Sequence, residues 1–152
     1  MNAPTPTEQL AADSIFIFDL SGKRVVDCLK PTQIIEPAKL ISSDSGQTIS
    51  EKIQQIKAST TDQDVIGIKF DKFADGRSYS IAARLREAGY VGALHALGDI
   101  NQELVFMLKR VGFTHFHLPD PGASELAPQI LAPFAGYYQA AQDGSQAHWH
   151  KH

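Results

Sequence analysis

Residues 64–118 read DVIGIKFDKFADGRSYSIAARLREAGYVGALHALGDINQELVFMLKRVGFTHFHL, and the alternation within this stretch decides the fold. Asp64 to Phe70 is dense in Val, Ile and Phe, which suits a strand, and it ends in a polar loop through Asp75-Gly76. Residues 78 to 88 set Ile81, Ala82, Leu85 and Ala88 on one helical face. Gly89 follows where a left-handed residue closes a helix, and Tyr90 then packs back over the last turn. The pattern recurs. Val91 to Leu97 reads as a strand, Gly98-Asp99-Ile100-Asn101 as a loop, and Leu104, Val105, Leu108 and Val111 as the apolar face of a second helix. Gly112 closes that helix, and Phe113 to Leu118 supplies a third strand before Pro119-Asp120-Pro121-Gly122 turns the chain. Laid over each other, Leu85-Arg86-Glu87-Ala88-Gly89-Tyr90 and Leu108-Lys109-Arg110-Val111-Gly112-Phe113 align leucine, base, small apolar residue, glycine and aromatic. The overlay fits either one βα unit used twice or two ordinary helix-to-strand junctions. Short connections between alternating strands and helices force parallel pairing through right-handed crossovers. The expected fold is α/β: a single layered domain, either an open sheet or part of a barrel, with a mostly parallel sheet built from βα units.

Working outward, Ile15 to Phe18 and Arg24 to Cys28 flank the turn residues Ser21-Gly22-Lys23, so an N-terminal β-hairpin precedes the core. Pro31 to Thr48 is interrupted by Pro31, Pro37 and a Ser-Asp-Gly cluster, and reads as connection plus one edge strand. After Thr48, Ile49, Ile53 and Ile56 recur at helical spacing with Glu51 in the first turn. Beyond the third strand, Ser124 to Leu131 reads as a helix with Leu126 and Ile130 inward. Phe134, Tyr137 and Tyr138 then lie ready to cross the sheet. Residues 1–13, rich in Pro, Thr, Asn and Gln, read as a flexible leader, residues 14–140 as the domain, and residues 141–152 as a flexible His-rich tail.

The composition excludes several classes. The chain has 152 residues, 43% hydrophobic, enough for one core-bearing domain. Its formal charge of -3 leaves no basic excess for nucleic acid. One cysteine, Cys28, builds no internal disulfide, Cys-ligated zinc site or iron–sulfur cluster, and fits a reducing, cytoplasmic setting. No apolar run reaches membrane-spanning length and the amino terminus lacks a signal-peptide pattern. Gly-x-Gly-x-x-Gly, Walker A, Gly-x-Ser-x-Gly and Cys-x-x-Cys motifs are all absent, so no cofactor is evident.

In a parallel sheet, ligands collect at the carboxyl ends of the strands, where loops and helix amino termini converge. The loop Asp71 to Ser80 brings Asp75, Gly76, Arg77, Ser78, Tyr79 and Ser80 to that rim. Arg84 follows on the helix, and Asp99 and Gln102 come from the next loop. Arginine offers a planar fork for carboxylate or sulfur and phosphorus oxyanions, and Ser78 is placed to cap the helix. These residues are the candidate anion- or partner-binding set. The bland alternative is that Asp75, Arg77 and Asp99 pair to lock adjoining loops, and that Tyr79 is packing. No catalytic residue is assigned; the candidates for a base are His95, oriented by Asp99 or Asp120, and Asp99 itself. His115 and His117 share a strand face, which suits a sheet edge better than a metal site, and no metal is assigned.

Phe70-Asp71-Lys72-Phe73-Ala74-Asp75-Gly76-Arg77-Ser78-Tyr79-Ser80, then Leu85-Arg86, Gly89 to Asp99 and Arg110-Val111-Gly112-Phe113, resemble the bacterial domain of unknown function 934 over residues 64–118. The resemblance implies a role in assimilatory sulfite reduction, with sulfite reductase as partner, and brings neither cofactor nor mechanism. Ala93, His95 and Val111 stand where the family typically has Glu, Arg and Cys, so a thiol mechanism has no support here. The expected function is an accessory protein that docks on sulfite reductase through the Arg/Asp-rich rim and takes a small sulfur oxyanion there. The alternatives are a small oxidoreductase or electron-transfer protein of sulfur assimilation with a borrowed flavin or nicotinamide, and an oxyanion enzyme using His95 or Asp99.

Overall fold

A computed structural model describes residues 15–25, 30–42, 46–72 and 76–119. The elements run β1 (Ile15–Phe18), β2 (Arg24–Val25), β3 (Gln33–Ile35), α1 (Pro37–Ser42), α2 (Ile49–Ser59), β4 (Val65–Phe70), α3 (Gly76–Glu87), β5 (Ala93–Gly98), a 3-10 turn (Gln102–Leu104), α4 (Val105–Arg110) and β6 (His115–Pro119). They form one six-stranded sheet in the order β2-β1-β6-β5-β4-β3. β3, β4, β5 and β6 are mutually parallel, while β1 pairs antiparallel with both β2 and β6. The expected hairpin is therefore present, and it borders the parallel sheet by pairing with its last strand.

Because β3 to β6 follow one another in space as in sequence, right-handed crossovers keep their helices on one side of the sheet. The core lies there. Phe18, Ile66, Ile68, Phe70, Leu94, Ala96, Phe116 and Leu118 from the strands meet Ile53 and Ile56 of α2, Ile81, Ala82 and Leu85 of α3, and Val105 and Leu108 of α4. The opposite face carries the alternate residues. Ile34, Gly67, His95 and His115 share one row across β3 to β6, with Ile17 opposite His117 in the next.

Local chemistry explains the helix ends. Thr48 and Glu51 form a reciprocal capping box, with Thr48 Oγ1 accepting from Glu51 N at 3.2 Å and Glu51 Oε2 accepting from Thr48 N at 2.7 Å. At the end of α3, Tyr90 N donates to Leu85 O and Gly89 N to Arg86 O; after α4, Phe113 N donates to Leu108 O and Gly112 N to Lys109 O. Both are Schellman closures on glycines of positive φ, 97° and 108°. The overlay of residues 85–90 on 108–113 thus corresponds to one closing geometry used at two junctions.

Three expectations are corrected. The segment 31–48 holds a helix besides its edge strand, because Pro37 occupies the first helical position, where its missing N–H costs no hydrogen bond. His115 and His117 do not sit at a sheet edge, since β6 runs between β1 and β5. The second core strand also starts later than Val91. A side chain at Gly92 would collide with the Tyr90 hydroxyl, which bonds to Asp64 O and Ala93 O, and Val91 stands 70% exposed outside the sheet.

Candidate functional site

The carboxyl ends of β4 and β5 are drawn together by backbone. Asp99 N donates to Phe70 O at 2.9 Å, and Gly98, at φ 92°, lies so close to Phe70 that a Cβ there would strike its carbonyl oxygen. Ile100 is buried beneath the loop, and Asn101 Oδ1 accepts from Glu103 N at 3.0 Å to start the 3-10 turn. Around this anchor Arg77 and Ser80 on α3 and Asp99 and Gln102 on the next loop are all exposed. Gly76 is exposed too, with open space where a Cβ would be. Asp75, like Asp120 and Cys28, lies outside the described residues.

Other candidates serve the scaffold. Ser78 is wholly buried and donates to Lys69 O at 3.0 Å, so it ties α3 to β4 rather than capping the helix into solvent. Tyr79 stands edge-on to Phe70, ring centroids 5.2 Å apart at 80°, and burial pushes its phenol pKa up. Arg84 donates from Nη1 to Ser50 Oγ at 3.3 Å and lines the seam between α2 and α3.

Arg86 lies at the opposite end of α3 from the rim. α3 has 12 residues, so its first and last turns lie about 15 Å apart. There Arg86 Nε and Nη2 donate to Gly112 O at 3.1 and 2.7 Å, and Nη1 donates to Tyr90 O at 2.9 Å and Gly92 O at 2.8 Å. This half-buried guanidinium joins the end of α3 to the chain entering β5 and β6. Burial lowers its pKa, partly offset by the Tyr90 phenol. A Cβ at Gly112 would lie 2.6 Å from Arg86 Cγ, which explains glycine at that position beyond its φ.

His95 is not on the rim either. It sits mid-strand on the face opposite the helices, 1% exposed, with Nδ1 facing His117 Nε2 at 2.8 Å. Its ring stacks on His115 at 4.5 Å, and His117 lies 5.0 Å away. His115 Nδ1 in turn meets Thr114 Oγ1 at 2.9 Å. Burial first, then the neighbouring imidazoles, lowers His95 to about 3 and His117 to about 4. His115 is lowered by burial, against the pull of the Asp19 carboxylate. The close ring nitrogens require one imidazole to donate and the other to accept, which excludes charging both rings, and the lowered pKa values keep both neutral near neutral pH. Neutral imidazoles are the metal-binding form, yet among the described residues no three His, Cys, Asp or Glu side chains are arranged to hold a metal ion. His95 and Asp99 are not assembled as a base and its orienting acid, since the His95 Nδ1 partner is His117. Alternation within each strand puts these histidines on one face, but their contact depends on the β5–β6 register, which the sequence does not display.

No helix among the described residues is long and apolar enough to cross a membrane. Among the described residues, a sheet with its helices packed on one face, a polar rim at its strand ends and an arginine clamp at the other end defines an α/β domain built on consecutive βα units. The chain belongs to the family described as Bacterial protein of unknown function (DUF934), whose model matches residues 47–149. That match extends the 64–118 resemblance in both directions and takes in α2. No curated protein matches the chain, and no solved structure does.

Proposed function

We propose that this protein is a cytoplasmic accessory of assimilatory sulfite reduction that docks on sulfite reductase through its rim. In this reading Arg77 meets a partner carboxylate or a small sulfur oxyanion, and Ser80, Asp99 and Gln102 complete the contact. The observation that carries it is that these four exposed polar residues follow the carboxyl ends of the neighbouring parallel strands β4 and β5, whose junctions are tied by Ser78 on Lys69 O and Asp99 N on Phe70 O. Arginine's fork suits the planar or tetrahedral anions of this chemistry. The link to sulfite reduction itself rests on the family resemblance.

Size-exclusion chromatography of the purified protein with sulfite reductase tests the proposal, with an absorbance spectrum of each fraction. A colourless protein that co-elutes, and whose Arg77→Ala variant does not, is the expected result. Failure of the wild type to co-elute, or retained co-elution after Arg77→Ala, would count against this surface. Flavin absorbance in the lone protein would favour the electron-transfer reading.

A further inference from the structure

At the end of the sheet remote from the rim lies a cavity of about 410 Å³, lined by Leu20, Arg86, Tyr90, Val91, Lys109, Gly112, Phe113 and Thr114. Two of these residues are cations, and among the described residues neither is ion-paired to a carboxylate: every bond of Arg86 goes to a backbone carbonyl. A guanidinium has five N–H donors. Nε uses one, Nη1 two and Nη2 one, which leaves a single Nη2 N–H for a further acceptor. Of the remaining lining residues, Leu20 and Val91 are exposed apolar side chains, Tyr90, Gly112, Phe113 and Thr114 complete the wall, and the Tyr90 ring centre lies 5.5 Å from the Arg86 guanidinium carbon.

We propose that this cavity is a binding site for a small organic anion, a carboxylate on an apolar or aromatic body, held between Arg86 and Lys109. Charge comes from the two cations, and the apolar walls select a hydrophobic body over a fully hydrated inorganic ion. Arg86 is preorganised for the task. Four carbonyl bonds fix its plane before any ligand arrives, so no side-chain entropy is lost on binding. Burial, which disfavours its charge, makes an anion in the cavity more welcome still. The site is separate from the docking rim and independent of it.

The test is titration of the full-length protein with sodium benzoate and, separately, sodium sulfate, followed by amide NMR shifts. Saturable benzoate shifts are expected at Val91, Gly112 and Thr114, with sulfate at least about tenfold weaker. Lys109→Gln should weaken benzoate about tenfold, the loss of one charge-assisted contact. Val91→Asp, at an exposed position that tolerates substitution, should repel it by adding like charge at the mouth. Arg77→Ala should leave benzoate binding unchanged, which separates this site from the rim. Absent or non-saturable shifts, shifts that survive both Lys109→Gln and Val91→Asp, equal binding of sulfate, or shifts centred on Arg77 and Asp99 would overturn the proposal.

Discussion

Acidification should destabilise this protein well before its carboxylates protonate, and the stacked histidines set the size of the effect. In the folded chain His95 and His117 stay neutral down to about 3 and about 4; in the unfolded chain each returns to its ordinary 6.5. Between those values the unfolded state binds more protons than the folded one, so stability falls as pH falls. The contribution is whole above 6.5 and drains away below it, down to the folded values. Each pH unit in that window costs about 1.4 kcal/mol per histidine, so about 2 kcal/mol each is lost on going from about pH 7 to about pH 5. The rings share a hydrogen bond and titrate as a pair, which sets the combined loss at about 2 to 4 kcal/mol, a large fraction of a typical domain's stability. Asp19, whose carboxyl is lowered below 3.8 by bonds from Ser21 and Lys23 that outweigh its burial, acts only at lower pH. Urea unfolding at a series of pH values measures the slope. His95→Gln should reduce it, and the His95→Gln, His117→Gln double variant should reduce it further, leaving the part that belongs to His115, itself lowered by burial. A flat stability profile across the window, or a slope that the double variant leaves undiminished, would refute the argument and place any titration elsewhere.

The other expectations concern the scaffold. Arg86→Ala should cost about 3 kcal/mol or more, because it strips hydrogen bonds from the Tyr90, Gly92 and Gly112 carbonyls; Arg84→Ala, two residues earlier, should change the urea midpoint little. Gly112→Ala should lower the melting temperature through both its positive φ and the Arg86 side chain in the way, at about 1 to 3 kcal/mol. Thr48→Ala should cost about 1 kcal/mol by opening the capping box of α2, seen as lost helicity and a lower urea midpoint.

Periodicity made the βα alternation legible, because a strand's two-residue and a helix's 3.6-residue repeats are local properties, and glycine before an aromatic marked both Schellman closures. Direction along and around a helix was harder to read. Arg84 and Arg86 look alike in sequence, but two helical steps turn a side chain by about 200°. One therefore meets Ser50 on α2 and the other the carbonyls beneath β5 and β6. The rim could be placed from the strand ends alone, whereas Ser78 and Tyr79 could not be sorted from Arg77 and Ser80 without the packing of α3 on β4. The histidine contact was illegible for a different reason, since it joins residues 22 positions apart through a register that no local pattern encodes. Pro37 misled because a proline that breaks a helix interior also starts one.

The Arg86 clamp bears on how the molecule opens. One side chain grips carbonyls on both sides of β5, at Tyr90 and Gly92 before it and at Gly112 before β6. Neither junction can fray without breaking a bond the other shares, so the two successive βα units should open together rather than peel off in turn. Amides of residues 88–92 and 111–114 should then exchange with solvent at a common rate, as one cooperative block.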